Sequence, residues 1–300
     1  MDNVLYALAR ALVALIQSLP LAWVARLGRA GGGLAYRLDR RHRQVALANL
    51  TMCFGAEKSP EQIQALAREN FRRIGENFAC AVKTAAMSID ALRPHLEFAG
   101  IERLPQKSAD APLPNVVIAI GHFGNFELYA RFGQFRPEYQ CATTYRALKH
   151  PAANRLLQQV RERSGCLFFE RRTDGPLLRA AMQRRGLLMG FLADQSTDGL
   201  RAPFLGHDCS TTLAPAVFAL RYHCELFTAF CFRLAPARWR IELGDQIATD
   251  ENGHPRTTEA ITRDVNRSFE AAVRRDPANW FWVHRRWKPE ERKAKMEHGG

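Results

Sequence analysis

Residues 115–128 read Asn-Val-Val-Ile-Ala-Ile-Gly-His-Phe-Gly-Asn-Phe-Glu-Leu, and this stretch decides the fold. Its first half is a continuous apolar run, which is typical of a strand buried on both faces in a sheet flanked by helices. Its second half carries His122 and Glu127 directly after that strand. In open α/β sheets, ligands bind where the carboxyl ends of strands turn into helices. The stretch therefore predicts both a central strand and the position of a site.

Further apolar runs predict more strands, and helical patterns lie between them. We expect strands at 140–145, 166–169, 187–192, 226–233 and 239–243, and helices at 151–163, 175–185, 214–223 and 258–275. An earlier helix is expected from Ser59, a good N-cap residue, to about Ala85 because Pro60 stands at its first position. Strands alternating with helices predict an α/β fold, a single domain with a central mixed β-sheet flanked by helices.

Composition and charge limit the classes of function. The hydrophobic content of 47 % and charged content of 24 % exclude a mainly disordered chain and a polytopic membrane protein. A net charge of +13 favours an anionic partner. The seven cysteines form no CxxC pair, which argues against disulfides and a zinc site and indicates a reducing compartment; no metal is predicted. The basic residues cluster at apolar chain ends without any nucleic-acid-binding signature, so no nucleic-acid partner is expected.

The amino-terminal segment is apolar and flanked by arginines. Fifteen residues without a charge lie between Arg10 and Arg26, whereas a spanning helix needs about 20. Pro20 interrupts this run and is expected to begin a second helix. Three interpretations stay open: a buried core helix, a single tilted span, and an in-plane membrane anchor.

The in-plane anchor is the interpretation that we favour. It would put Trp23 at the level of the lipid headgroups and the arginines of 37–43 against anionic lipid. We therefore predict a membrane-associating helical segment over residues 1–38 and an α/β domain over residues 39–300.

The pair His122 and Glu127 suits acyl transfer. A histidine can take the proton of an attacking hydroxyl, and a carboxylate on its other nitrogen would fix the tautomer. With this spacing, the two side chains can meet across the first turn of a helix. His254 and Glu259 have the same spacing but lie in a polar turn, so we prefer the first pair. The alternative is structural, a capping histidine and a first-turn glutamate favoured by the helix dipole.

Charged side chains follow three further predicted strands. Arg146 and Lys149 come after the strand at 140–145, and Arg171 and Arg172 come after the strand at 166–169. These cations can meet phosphate, although an isolated surface arginine is more often only solvated. Asp194 stands at the end of the strand at 187–192, where the alternative is a simple turn.

Several motifs in this order resemble those of one family. They are Gly-His-Phe-Gly-Asn-Phe-Glu at 121–127, Thr-Tyr-Arg at 144–146, Glu-Arg-Arg at 170–172, Ala-Asp-Gln at 193–195, Pro-Phe-Leu-Gly at 203–206 and Trp-Phe-Trp-Val-His-Arg-Arg-Trp-Lys at 280–288. With them the chain resembles the bacterial lipid A biosynthesis lauroyl/myristoyl acyltransferases of the glycerolipid acyltransferase superfamily. The resemblance spans nearly the whole chain. It departs from the pattern Tyr-Arg-Pro-x-x-Asn-Pro at Ala147 and His150, which bears on the identity of the acceptor.

The resemblance implies transfer of a fatty acyl group from acyl carrier protein to a hydroxyl of a lipid A precursor in lipopolysaccharide biosynthesis, without a cofactor. It implies an enzyme at the bacterial inner membrane, which the reducing compartment would put on the cytoplasmic face. His122 would be the general base and Glu127 its partner. The candidate substrate-binding residues are Gly121, Asn125, Arg146, Lys149, Arg171, Arg172, Asp194 and Gln195. Another glycolipid or lysophospholipid acceptor, or a homologue that binds anionic lipid without turnover, remain alternatives.

Overall fold

The computed structural model describes residues 2–108, 111–197 and 199–287. The helices are α1 (Asp2–Ser18), α2 (Leu21–Leu38), α3 (Arg40–Phe54), α4 (Pro60–Ala86), α5 (Ile89–Leu92), α6 (Pro151–Glu162), α7 (Gly175–Met182), α8 (Ala214–Tyr222) and α9 (Thr258–Arg275). The strands are β1 (Leu96–Ala99), β2 (Val116–Ile120), β3 (Gln140–Tyr145), β4 (Leu167–Glu170), β5 (Leu187–Leu192), β6 (Leu200–Phe204), β7 (His207–Thr211), β8 (Glu225–Ala235), β9 (Arg238–Ile247), β10 (Asp250–Glu251) and β11 (His254–Pro255). Short 3₁₀ helices lie at Arg93–His95, Ile101–Arg103, Phe126–Gln134 and Pro277–Asn279.

A seven-stranded mixed sheet in the order β1-β9-β8-β2-β5-β3-β4 forms the centre of the molecule. Strands β8, β2, β5, β3 and β4 run parallel, whereas β9 is antiparallel to β8 and carries β1 parallel to itself. The predicted α/β class and mixed sheet are thus confirmed.

Strand β2 is the middle of the sheet, and all five of its residues are buried. On one face, Val117 and Ala119 belong to a core shared with α7, α8 and α9. On the other face, Ile118 and Ile120 join Phe132 of the 3₁₀ helix Phe126–Gln134. Burial on both faces is the physical reason that this strand reads as one uninterrupted apolar run.

A helix follows His122 as expected. It is a 3₁₀ helix over Phe126–Gln134, and it begins after a turn in which Gly124 has a φ of 52°. The helix α4 begins as predicted, with Ser59 and Gln62 forming a capping box and Pro60 at its first position. The predicted strands and helices from residue 140 onward are all present, with bounds shifted by a few residues.

The two amino-terminal helices pack on the rest of the chain. Leu21, Val24 and Ala25 on the inner face of α2 are buried in a core shared with α4 and β9, as the core-helix interpretation expects. Arg29 of α2 forms ion pairs with Glu69 and Glu76 of α4. In the described part of the chain, no helix combines the length and apolar character that crossing a bilayer requires. The expected amino-terminal membrane segment is therefore not supported as a span.

Candidate active site

The site forms where β2 and β5 end side by side. These two parallel strands are in register, with Ile120 opposite Leu192, and Ala193 donates its N–H to the carbonyl of Ile120 at 2.9 Å. His122 and Asp194 each stand two residues beyond the end of their strand, and their side chains therefore face each other. The Nδ1 atom of His122 lies 2.6 Å from Oδ1 of Asp194. A carboxylate can only accept this hydrogen bond, so Nδ1 carries the proton and Nε2 keeps a free lone pair.

The carboxylate of Asp194 is fully buried and held by three donors. Its Oδ2 atom accepts the backbone N–H of His122 and the indole N–H of Trp280, each at 2.7 Å. Burial acts to raise the pKa of this carboxyl, but the charge and hydrogen bonds of His122 and the bond from Trp280 together lower the pKa below its ordinary value. Asp194 therefore stays ionised at neutral pH, the state in which its carboxylate accepts the proton on Nδ1 of His122.

Glu127 does not hold the position predicted for it. The carboxylate bonded to His122 belongs to Asp194, whereas Glu127 forms an ion pair with Arg161 in the last turn of α6, with Nε donating to Oε2 at 3.0 Å. Two parallel bonds from a guanidinium are stronger than one bond to a neutral imidazole, which explains this pairing. The role of Glu127 as partner of His122 is corrected accordingly, although both residues line the same cavity.

That cavity has a volume of about 770 Å³ and extends over the face of the sheet next to His122. Its wall is apolar where it runs along the strands, with Ile118 and Ile120 of β2, Leu188 of β5 and Leu243 of β9. Tyr129 and Phe132 of the 3₁₀ helix Phe126–Gln134 and Leu157 of α6 close it from the other side. A cavity of this size and character suits a largely apolar ligand.

The predicted basic residues divide into two groups. All four are exposed, but only Arg146 and Arg171 line the cavity, whereas Lys149 and Arg172 lie outside its lining. The structure thus distinguishes Arg171 from Arg172, which sequence register could not. Within the residues that the structure describes, neither Arg146 nor Arg171 pairs with a carboxylate, so both line the cavity with a charge that no acidic side chain neutralises.

Glu170 ties the loops of these two arginines together, a role that sequence reasoning missed. Its carboxylate accepts the backbone N–H groups of Ala147, Arg172 and Thr173 at 3.3, 2.6 and 3.0 Å. These bonds, led by the one from Arg172, lower the pKa of Glu170. The loops after β3 and β4 are therefore held beside each other by one ionised side chain, and its position in the Glu-Arg-Arg motif was the available signal.

The other predicted residues serve the site in different ways. Gln195 lines the main cavity beside Ser196. Gly121 is buried behind His122, where a Cβ atom would overlap the ring of Phe123. Asn125 is also buried and lines a smaller cleft that His122, Phe78 and Phe281 line as well. Neither Gly121 nor Asn125 reaches the main cavity.

The two His-x4-Glu pairs lie in different surroundings, as predicted: His122 and Glu127 line the cavity, whereas His254 and Glu259 do not. His254 lies in the short strand β11 and is exposed, as is Glu259 at the start of α9. Across residues 2–108, 111–197 and 199–287, no three His, Cys, Asp or Glu side chains come together as metal ligands. The motif at 280–288 is described except for Lys288, which lies outside the described residues, as do residues 289–300 of the predicted domain.

Comparison with known proteins gives one consistent result. The model of the family described as bacterial lipid A biosynthesis acyltransferase matches residues 3–289. A lipid A biosynthesis palmitoleoyltransferase of Escherichia coli (strain K12) is 25% identical over 280 residues, which cover 90% of this chain and 86% of that protein. A lipid A biosynthesis acyltransferase of Shigella flexneri matches with the same identity and coverage.

Proposed function

Since the chain belongs to the bacterial lipid A biosynthesis acyltransferases, and is an acyltransferase, we propose that it transfers a fatty acyl chain from acyl carrier protein to a hydroxyl of a lipid A precursor. The observation that carries the proposed chemistry is the hydrogen-bonded pair His122–Asp194 on the wall of an apolar cavity of about 770 Å³. The pair supplies a base, and the cavity supplies a place for the acyl chain.

His122 acts as the general base through Nε2. Asp194 holds the proton on Nδ1, so the lone pair of Nε2 can take the proton of the acceptor hydroxyl as its oxygen attacks the thioester carbonyl. The tetrahedral intermediate then collapses, the carbon–sulfur bond breaks, and the leaving thiolate takes the proton back from the imidazolium. The acceptor gains an ester, the carrier regains its thiol, and His122 returns to its starting state.

Aromatic rings restrict the surroundings of the base. The ring of Phe126 lies edge-on to the imidazole with centroids 4.9 Å apart, and the ring of Phe281 lies 6.1 Å away. The side chain of His122 keeps an exposed fraction of only 14%. Apolar surroundings of this kind limit competing attack by water.

Arg146 and Arg171 would bind an anionic group of the acceptor. Both arginines line the cavity that His122 also lines, and arginine binds phosphate with two parallel hydrogen bonds. A phosphorylated glycolipid acceptor fits this arrangement. Gln195, on the same lining, adds an uncharged hydrogen-bonding group.

The exposed faces of α1 and α2 would attach the enzyme in the plane of the inner membrane, on its cytoplasmic side. These faces carry large apolar side chains that are more than half exposed: Leu8, Leu12, Leu15, Trp23, Leu27, Leu34 and Leu38. The α1 helix also contacts α6, which lines the cavity, through a hydrogen bond of 3.0 Å from Tyr6 to Gln159. A lipid acceptor would thus meet the site beside the surface that holds the protein to the bilayer.

The test is turnover with defined substrates. Purified enzyme is incubated with acyl carrier proteins loaded with chains of different lengths and a Kdo2–lipid IV(A)-type acceptor, and products are weighed by mass spectrometry. We expect His122→Ala and Asp194→Asn to lower kcat by at least about a hundredfold, since general-base catalysis contributes 10²–10⁴-fold. His254→Ala, in the exposed match, should keep the wild-type rate.

Two outcomes would overturn the proposal. Acylation only of lysophospholipid or of an unrelated glycolipid would reject the acceptor. Wild-type turnover by His122→Ala would reject the base. Parallel arms with a dephosphorylated acceptor and Arg146→Ala separate the phosphate contact from the chemistry, because Arg146→Ala should raise KM for the phosphorylated acceptor alone.

A further inference from the structure

The chain segment after α9 returns to the site and is fixed there from two sides. Trp280 pairs with Phe123 in an antiparallel bridge, and Gly124 donates its N–H to the carbonyl of Asn279 at 3.1 Å. Asn70 of α4 donates from Nδ2 to the carbonyls of Ala278 and Trp280, at 2.9 and 2.5 Å. Only 2% of the surface of Trp280 is exposed. The backbone on both sides of the indole ring is therefore fixed by contacts with the site and with α4.

From this position the indole N–H reaches the carboxylate beside the catalytic base. It donates to Oδ2 of Asp194 at 2.7 Å, while Oδ1 of the same carboxylate meets Nδ1 of His122 at 2.6 Å. His122 alone holds both carboxylate oxygens, Oδ1 through Nδ1 and Oδ2 through its backbone N–H at 2.7 Å. The indole bond adds a third donor from a different part of the chain, so the orientation of the carboxylate does not depend on His122 alone.

We propose that Trp280 is a positioning residue that holds Asp194 in the orientation and charge state needed to orient His122. The inference rests on the proposed function of that pair. It assigns a role to the aromatic segment at 280–287, which the sequence marks out and the acyl-transfer chemistry alone leaves unexplained.

Other ionisable groups around Asp194 do not replace this bond. The phenol of Tyr129 is buried nearby, and its pKa is raised by its own burial and then by neighbours that include Asp194. The buried guanidinium of Arg286 interacts with Asp194 through its charge, but its hydrogen bonds go to Ser210 and Thr211. Among the described residues, Trp280 is thus the one donor to Asp194 outside His122.

Trp282 offers a matched control. It is fully buried, its ring lies 4.7 Å from that of Trp280, and its indole N–H donates to the carbonyl of Pro277 at 2.6 Å. Trp280→Phe and Trp282→Phe each remove one indole and its hydrogen bond from the same aromatic cluster. Only the first variant removes a donor from Asp194.

We expect Trp280→Phe to lower kcat about tenfold with KM within about twofold, since a hydrogen bond to a charged group corresponds to about one decade. Trp282→Phe should stay within about twofold of wild type in both constants. Circular dichroism and urea unfolding report whether each variant is folded. Equal loss of kcat in the two variants would overturn the proposal, because it would indicate packing alone.

A second measurement does not require turnover. The NMR signal of the Nδ1 proton of His122, identified by its absence in His122→Gln, is lost on acidification when Asp194 takes up a proton. We expect Trp280→Phe to move the midpoint of this loss upward by about one pH unit, because a donor that lowers the pKa of Asp194 is gone. Trp282→Phe should leave the midpoint in place. An unchanged midpoint in Trp280→Phe would overturn the proposal.

Folding failure of Trp280→Phe does not end the test. In the wild-type protein, the indole N–H signal of Trp280 should shift over the same pH range as the Nδ1 proton of His122, and Asp194→Asn should abolish that shift. An indole signal indifferent to both would overturn the proposal. If wild-type enzyme acylates no acceptor while the NMR shifts occur, the proposed function fails and the positioning role stands.

Discussion

At the scale of single residues, the pair His122–Asp194 joins the ends of two parallel strands that are far apart along the chain. His122 follows a continuous apolar run, and that context alone marks it out from His254. Asp194 stands 72 positions further along the chain, and only the register of β2 with β5 brings the two side chains together. Spacing along the sequence indicated Glu127 as the partner of His122, because a spacing argument covers only residues of one chain segment. In a parallel sheet, the partner can come from the neighbouring strand.

The ion pair of Glu127 with Arg161 yields a prediction of its own. We expect Glu127→Gln and Arg161→Met each to lower kcat/KM at least about tenfold, because each leaves an uncompensated charge on the lining of the cavity. The double variant should lose no more than the worse single variant, since both substitutions break one shared interaction. Steady-state kinetics on the four proteins of this cycle measures the coupling.

The ion pair of Arg275 with Glu242 serves as the control for loss of an ion pair away from the cavity. Arg275 and Glu242 also form two parallel bonds, each of 2.7 Å, on a distant part of the molecule, so Arg275→Met should leave kcat/KM unchanged. If Arg161→Met keeps the wild-type rate while Glu127→Gln does not, Glu127 acts without Arg161. In that case, Glu127 would contact His122 directly during the reaction, as the spacing of the two residues in the sequence suggests.

At the scale of elements, apolar runs identified β2, β3, β4, β5, β8 and β9, whereas β1 and the hairpin β6–β7 went unrecognised. Strand β1 has four residues, and the hairpin β6–β7 carries Arg201, Pro203 and Asp208 on strands too short for a clear alternation. Pairing with neighbours, rather than intrinsic pattern, makes these segments strands. The 3₁₀ helix Phe126–Gln134 has an apolar face that a sequence pattern does not distinguish from an α-helix.

The packing of α2 on α4 predicts opposite effects for two adjacent glycines. A Cβ atom on Gly32 would overlap the carbonyl oxygen of Phe71 in α4, whereas a Cβ atom on Gly31 would meet open space. Gly32→Ala should therefore lower the free energy of unfolding by about 1–3 kcal/mol, a typical overpacking cost. Gly31→Ala should raise it by up to about 1 kcal/mol, because alanine favours the helix.

Urea unfolding followed by circular dichroism measures both glycine variants. The pair is informative because the two substitutions add the same methyl group to consecutive positions of one helix. Equal stability of Gly32→Ala and Gly31→Ala would contradict the close helix contact. It would also indicate that α2 is held mainly by its ion pairs from Arg29 to Glu69 and Glu76.

At the scale of the whole molecule, the amino-terminal helices have two different faces, and this explains why the sequence left their role open. An apolar run of this length is short for a span, and it suits both a core helix and an in-plane anchor. The inner face of α2 is core, and its outer face exposes Trp23, Leu27, Leu34 and Leu38 at fractions between 53% and 71%. Hydropathy summed along the chain does not distinguish two faces of one helix. The structure does, because one face of α2 packs against α4 and the other is exposed.

The last prediction concerns this outer face as a membrane contact. A triple variant that makes it polar, Trp23→Gln with Leu27→Gln and Leu34→Gln, should lose most binding to vesicles, because these side chains supply the apolar part of the attachment. A control triple changes exposed apolar residues of α7, α8 and β8, namely Leu177, Val217 and Leu234, to glutamine and should bind as wild type does.

Salt separates the two parts of that attachment. High salt should release little wild-type protein, since salt does not screen apolar contact. It should release the outer-face triple variant from anionic vesicles, because the remaining attraction of that variant is the charge of its arginines at 37, 40, 41 and 43. Sedimentation with anionic and neutral vesicles at low and high salt measures this, with circular dichroism as the folding control. A folded outer-face variant that still pellets with neutral vesicles as fully as wild type would locate the membrane contact elsewhere on the molecule. Equal losses of vesicle binding in both triple variants would show that exposed apolar residues anywhere on the surface support binding. In that case, α1 and α2 would not be the specific membrane contact.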